Sequence, residues 1–149
     1  MAYRFRLETL LTYRRNLEEQ AQLELARQMQ ELVDREERLV DLRESRARII
    51  DDFEERKKQS LRAPLFSFYM EAIRRKERDI EAQLAVIAQQ QQVVEAARRQ
   101  LTERVQSRKV IEKAREKDYQ KYLREFLRKE QVESDEQAIL RAGRDDLLF

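Results

Sequence analysis

One proline and one glycine, Pro64 and Gly143, are all that a chain of 149 residues offers as strong turn formers. Glycine turns a chain by tolerating positive φ, and proline does so by presetting its own φ, so a fold with many short connections needs several of each. This chain can make very few turns, and what it can make is long helix. The residue types agree: Ala, Glu, Lys, Leu, Arg and Gln dominate, with 42% charged and 7% aromatic residues. Disorder is the competing outcome for so polar a sequence, but disordered segments lack regular apolar spacing, and this one has it.

The spacing is clearest after the proline. Phe66, Ile73, Ile80, Ile87, Val94 and Leu101 recur at intervals of seven. With these as the d row of a heptad, the a row reads Met70, Glu77, Leu84, Gln91, Arg98 and Val105. An apolar d row beside a half-polar a row predicts the narrow seam of a coiled coil, with Gln91 and Arg98 weakening the contact while fixing its register. Before the proline, Leu25, Leu32, Leu39 and Phe53 keep the same interval with Arg46 breaking it, and Leu42 and Ile49 lie between. Leu10, Ala21 and Leu32 stand eleven apart, which predicts a locally straighter or right-handed stretch.

Pro64 sets the topology. It has no N–H to donate, disfavours the α region for Ala63, and suits the first turn of a new helix. Around it, Leu61, Leu65, Phe66, Phe68 and Tyr69 would point in every direction from a continuous solvated helix, whereas a reversal lets them cap a two-helix layer. The expected fold is therefore all-α, a long antiparallel two-helix coiled-coil hairpin with its turn near Arg62–Pro64; a single helix kinked at Pro64 is the alternative. The expected bounds are a helix over about 5–59, a turn over about 60–64, a helix over about 65–140 and a frayed tail at 143–149, all in one structural unit. Folding back at the turn places Leu39 opposite the Val86–Ile87 region, and Phe5 and Leu7 near Tyr119 and Tyr122.

Charge is balanced overall and segregated locally. With 32 basic and 30 acidic residues the net charge is +2, without the strong basic excess of a general nucleic-acid binder. Residues 104–129, however, hold ten basic and four acidic side chains, and residues 1–15 hold four Arg and one Glu. Residues 31–55 carry ten acidic and five basic. The open end of the hairpin is thus expected to be basic and the body of its first arm acidic.

Catalytic chemistry has little to work with. There is no Cys and no His, which removes thiolates, most zinc sites and the commonest general base. One glycine cannot build a phosphate-cradling loop, and carboxylates four apart, such as Glu112 and Glu116, read as helix surface. No apolar run approaches the roughly 20 residues that span a bilayer, and the opening MAYRFRLETLL does not read as a secretory signal. The expectation is a cytoplasmic, non-enzymatic protein with no cofactor and no metal.

Two segments carry a family resemblance: YRFRLETLLTYRRNLEEQAQLELA (3–26) and SRKVIEKAREKDYQKYLREFLRKEQVESDEQAILR (107–141). The aromatic-x-Leu opening of Phe5 and Leu7, the paired Leu10–Leu11 with Arg14–Arg15, and the late block of Lys109, Glu112, Lys113 and KEQVESDE resemble FliJ, a coiled-coil component of the flagellar type III export apparatus. The stretch PLFSFYMEAIRRKERDI resembles the family's post-turn segment. The hinge departs from it, since glycine is common there in the family and this chain has Ala63–Pro64.

The resemblance implies a hairpin similar to the coiled coil of the rotary ATP synthase γ subunit. It implies engagement of the hexameric export ATPase (FliI) and the export gate protein (FlhA), handling of export chaperones, a place at the cytoplasmic face of the inner membrane, and no enzymatic activity. Arg14, Arg15, Lys109, Lys113 and Arg124 are the expected charged contacts, with Phe5, Leu7, Tyr119 and Tyr122 fixing the end. Three other readings stay open. The chain could be the corresponding stalk of a virulence secretion system. Residues 104–129, with Tyr119, Tyr122 and Phe126 interleaved, could contact nucleic acid through phosphates and stacking. The seam could also form a homodimeric scaffold.

Overall fold

The computed structural model of the chain describes residues 2–147. These form two helices, α1 (Glu8–Lys57) and α2 (Ala63–Leu147), and no strand among the described residues. The fold is an all-α, antiparallel two-helix hairpin.

Local chemistry accounts for the helix ends. The Glu8 N–H donates to the Phe5 carbonyl at 3.2 Å and the Leu11 N–H to the Leu7 carbonyl at 2.9 Å, so the aromatic-x-Leu opening supplies the first acceptors of α1. Glu8 in the first turn and Arg56 and Lys57 in the last complement the helix dipole. The exit tightens when the Gln59 N–H donates to the Arg56 carbonyl at 3.2 Å, an i→i+3 closure that ends α1 at Lys57 instead of near residue 59.

At the entry to α2 the Arg62 carbonyl accepts from both Leu65 and Phe66, at 3.1 and 3.0 Å. Ala63 therefore opens the helix where the sequence suggested that it would close the turn. Pro64 sits in the first turn, where a missing N–H costs nothing. No described residue has positive φ, which is why the connection Lys58–Arg62 works without glycine.

The far end of α2 also departs from expectation. The helix runs past Gly143 to Leu147; Leu148 and Phe149 lie outside the described residues. Nothing stands within 4 Å of the place where a Cβ on Gly143 would sit. A solvated mid-helix glycine costs only about 1 kcal/mol relative to alanine, too little to stop a long helix.

By contact the chain groups into two compact units: Glu19–Glu103, and Met1–Glu18 with Arg104–Phe149. A pair of helices has no common centre, because each side chain reaches only those within a turn or two of it. Contacts therefore group by position along the chain.

Within the central unit, Glu19–Glu103, the pairing is antiparallel. The Gln83 amide donates to the Arg35 carbonyl at 2.9 Å, and the Gln90 amide donates to the Gln28 carbonyl at 2.9 Å and to its Oε1 at 2.8 Å. Arg46 pairs with Glu77 at 2.9 Å. Leu39, Leu42, Phe53, Tyr69, Ile87 and Val94 are buried along this seam, Leu39 and Ile87 among them as expected. Each such aliphatic side chain stabilises the pair by roughly 1.5–3 kcal/mol when fully buried.

The d row is as the spacing predicted from Ile73 to Leu101, each at least half-buried, although Phe66 is 46% exposed. The a row is not. Only its ends, Met70 and Val105, are half-buried; Glu77, Leu84, Gln91 and Arg98 are exposed, and the second row of the seam runs one residue earlier, through Tyr69, Lys76, Gln83, Gln90 and Ala97. The polar residues that set register are accordingly Gln83 and Gln90, seven apart and donating to carbonyls seven apart on α1. On α1 the seven-residue set Leu11, Glu18, Leu25 and Leu32 is buried or half-buried throughout, and so is the eleven-residue set Leu10, Ala21 and Leu32.

Candidate partner-binding surface

All nine residues singled out in the sequence fall in the terminal unit, Met1–Glu18 with Arg104–Phe149. This unit has a fully buried Leu11 and half-buried Leu10, Leu17, Val105 and Ile111, with charged residues set among them. Glu18 and Arg108 occupy the heptad positions where the central unit has leucine and isoleucine, and the Arg108 Nε donates to Glu18. These side chains are only 13% and 22% exposed. Arg108 also reaches Glu112 at 2.7 Å, and Glu112 in turn accepts from Arg15 at 3.3 Å. The two carboxylates hold the Arg108 guanidinium protonated, the Glu18 hydrogen bond being the larger cause. One heptad further along α2, Arg115 pairs with Glu8 at 3.3 Å.

An aromatic cluster follows. Tyr3 packs against Tyr119 and Tyr122, each with ring centroids 5.1 Å apart, and Tyr122 stacks on Phe126 at 6.3 Å. The Tyr3 hydroxyl donates to Asp118 at 2.8 Å. Packing against its neighbours and that hydrogen bond push the Tyr3 phenol up to about 12 from an ordinary 10.0.

The sequence-predicted residues divide three ways. Phe5 and Leu7 are half-buried and serve the helix entry through their carbonyls; Tyr3, not Phe5, meets the tyrosines of α2. Arg14 lies on the seam, its Nε buried and without a hydrogen-bond partner, while Arg15 is engaged with Glu112. Lys109 and Lys113 are exposed and make no ion pair among the described residues; exposed Arg124 leans on the Gln120 carbonyl of its own helix at 3.5 Å.

Sequence reading missed Tyr3, Glu18 and Arg108, and a signal existed for each. The fold-back that brings residue 5 beside Tyr119 and Tyr122 brings residue 3 there too. Glu18 and Arg108 are each one seven-residue step beyond the last residue of an apolar row, Leu25 and Leu101.

The Tyr3 environment makes a titration result predictable. A group whose pKa is raised on folding contributes stability that is fully present below its unfolded pKa and is lost as pH rises through the folded value. In an alkaline absorbance titration, Tyr3 should therefore ionise near pH 12, and the stability it contributes should disappear between about pH 10 and 12. Asp118→Asn should bring that late phase down towards 10; an unchanged late phase would mean that Asp118 does not hold Tyr3.

Chemically, this surface offers charge and aromatic packing. The grooves beside Tyr3, lined by Arg15, Glu112, Arg115 and Tyr119, are open to solvent, unlike the enclosed apolar pockets that hold small ligands. No group of three or more carboxylates, histidines or cysteines among the described residues could hold a metal ion. Nor is any helix among them long and apolar enough to cross a membrane.

The sequence matches the family model described as flagellar FliJ protein over residues 3–146. No curated protein and no solved structure matches it. Nearly the whole hairpin, both helices and their connection, lies inside that match, and the chain belongs to the FliJ family of flagellar export coiled-coil proteins.

Proposed function

We propose that this protein is a non-enzymatic stalk of the flagellar export apparatus, working at the cytoplasmic face of the inner membrane. Its terminal unit engages the ring of the hexameric export ATPase, of the FliI kind. The export gate, of the FlhA kind, and export chaperones are the further partners that family membership suggests. One observation carries the ATPase reading: the terminal unit combines uncompensated lysines with a helix pair held by polar and aromatic contacts. Charges at a rim steer encounter with an oppositely charged surface and act mainly on association rate and salt dependence. A helix pair held by Glu18–Arg108 and the tyrosine cluster presents those charges already ordered, which lowers the entropy cost of binding.

The contact residues proposed are Arg14, Arg15, Lys109, Lys113 and Arg124, with Phe5, Leu7, Tyr119 and Tyr122 holding the end in shape. Arg14 and Arg15 also serve the fold, so charge reversal there confounds contact with folding. The test is stimulation of the export ATPase by wild type and by Lys109→Glu/Lys113→Glu, whose side chains are exposed. The variant should keep its helical content and need a concentration higher by on the order of tenfold or more for half-maximal stimulation. Equal stimulation by the folded variant would remove these lysines from the contact, and no stimulation by wild type would refute the stalk reading.

A further inference from the structure

The ten basic and four acidic side chains of residues 104–129 are unequally engaged. Every carboxylate has a partner: Glu112 has Arg15 and Arg108, Glu116 has Gln120, Asp118 has Tyr3, and Glu125 has Arg128. Lys109, Lys113, Lys117 and Lys121 make no ion pair among the described residues, and all four are exposed. They follow one another at four-residue steps; Arg124, three residues on, and Arg128, paired with Glu125, lie on the same side.

Four residues slightly overshoot one helical turn, so such a row winds slowly, and from 109 to 128 it covers about 28 Å of helix. Here the seam side of α2 is marked by Arg108, Ile111 and Arg115, all half-buried. At 3.6 residues per turn the lysines fall on the side away from it. Val110, 65% exposed, and Leu127, 60% exposed, share that outward side.

From this arrangement we infer that the outward lysine row of α2 is a docking surface for an anionic lipid bilayer. A row of cations along one side of a helix can meet a surface together, without opening the seam. Lysine ammonium groups are hydrated point charges on flexible stems, suited to a fluid array of phosphates more than to the fixed bidentate geometry that favours arginine. Clusters of four to eight such charges are the physical signature of anionic-headgroup binding, and Val110 and Leu127 can enter the interfacial layer beside them. Nucleic acid fits less well. Single-strand binding draws on free aromatic faces, and Tyr119 and Tyr122 are already packed against Tyr3. The inference does not rest on the ATPase reading, and Lys117 and Lys121 lie outside the contact set proposed there.

The test is co-sedimentation of the full chain with vesicles of phosphatidylcholine alone and with one third phosphatidylglycerol. Wild type should bind only the anionic vesicles and lose them in high salt. Each lysine near such a surface is worth about fivefold in partitioning. Lys117→Gln/Lys121→Gln should therefore bind on the order of 25-fold more weakly, with unchanged helical content and ATPase stimulation. Equal binding of wild type to both vesicle types, no binding to either, or undiminished binding by the double variant would each overturn the proposal. So would a single-stranded oligonucleotide that displaces the protein from anionic vesicles at equal phosphate concentration. Loss of ATPase stimulation alone would bear on the stalk reading and leave this one standing.

Discussion

Phe53→Ala should destabilise the protein by about 3–5 kcal/mol, measured from the shift in denaturant midpoint at unchanged slope. Phe53 is 4% exposed and sits where the two helices meet beside their connection. Its ring centroid lies 5.6 Å from that of Phe66 and 5.4 Å from that of Tyr69, and the Lys57 ammonium stands 4.4 Å above it. Truncation removes the partner of both rings at once. The surroundings of a truncated core side chain relax only partially, so the cavity term adds to the transfer term. Tyr69 is further tied to Asp52 through its hydroxyl, which holds its phenol above the ordinary range and fixes the ring against moving into the gap. Phe53→Leu should lose much less. A cost below about 1 kcal/mol for Phe53→Ala would show that this aromatic cluster does not close the turn end of the seam.

The second large effect concerns the polar seam, where single and double substitutions should have opposite signs. Arg108→Leu leaves the Glu18 carboxylate, 13% exposed, without its cation, and an uncompensated charge in a low-dielectric seam is strongly destabilising. The melting temperature should fall by several degrees. Glu18→Leu/Arg108→Leu extends both apolar rows by one step, from Leu25 on α1 and from Leu101 on α2. Replacing an ion pair by packed apolar side chains is often neutral or stabilising, so the double variant should melt at or above wild type. If both variants melt together below wild type, the pair contributes more than its desolvation costs. If the single variant is neutral, Glu18 finds water or another donor and the layer is not closed. Retention of an ion pair where leucine would hold better suits a role in fixing register, which the double variant tests through the retained or lost alkaline phase of Tyr3.

The amino-acid sequence by itself determined the helices, the place of the reversal and one row of the seam. Two turn formers in 149 residues leave no other regular structure, and Ile73 to Leu101 at intervals of seven can only face a partner. It also placed the polar terminal segment, because charge is countable without coordinates. The second seam row was beyond its reach. Rows three and four residues after each d position are equally compatible with a heptad, and the wrong one held the apolar Met70, Leu84 and Val105. Gln83 and Gln90 join the seam because α1 presents the carbonyls of Arg35 and Gln28 to their amides, and acceptors on another helix leave no mark in local spacing. The terminal unit repeats that lesson. Composition located an excess of positive charge at residues 104–129, but only pairing across the helices decided its division. It buries Arg108 against Glu18, ties Arg15 to Glu112, and leaves Lys109, Lys113, Lys117 and Lys121 facing outward. Charge is a property of a residue, whereas its availability depends on which opposite charges the fold has already placed within reach.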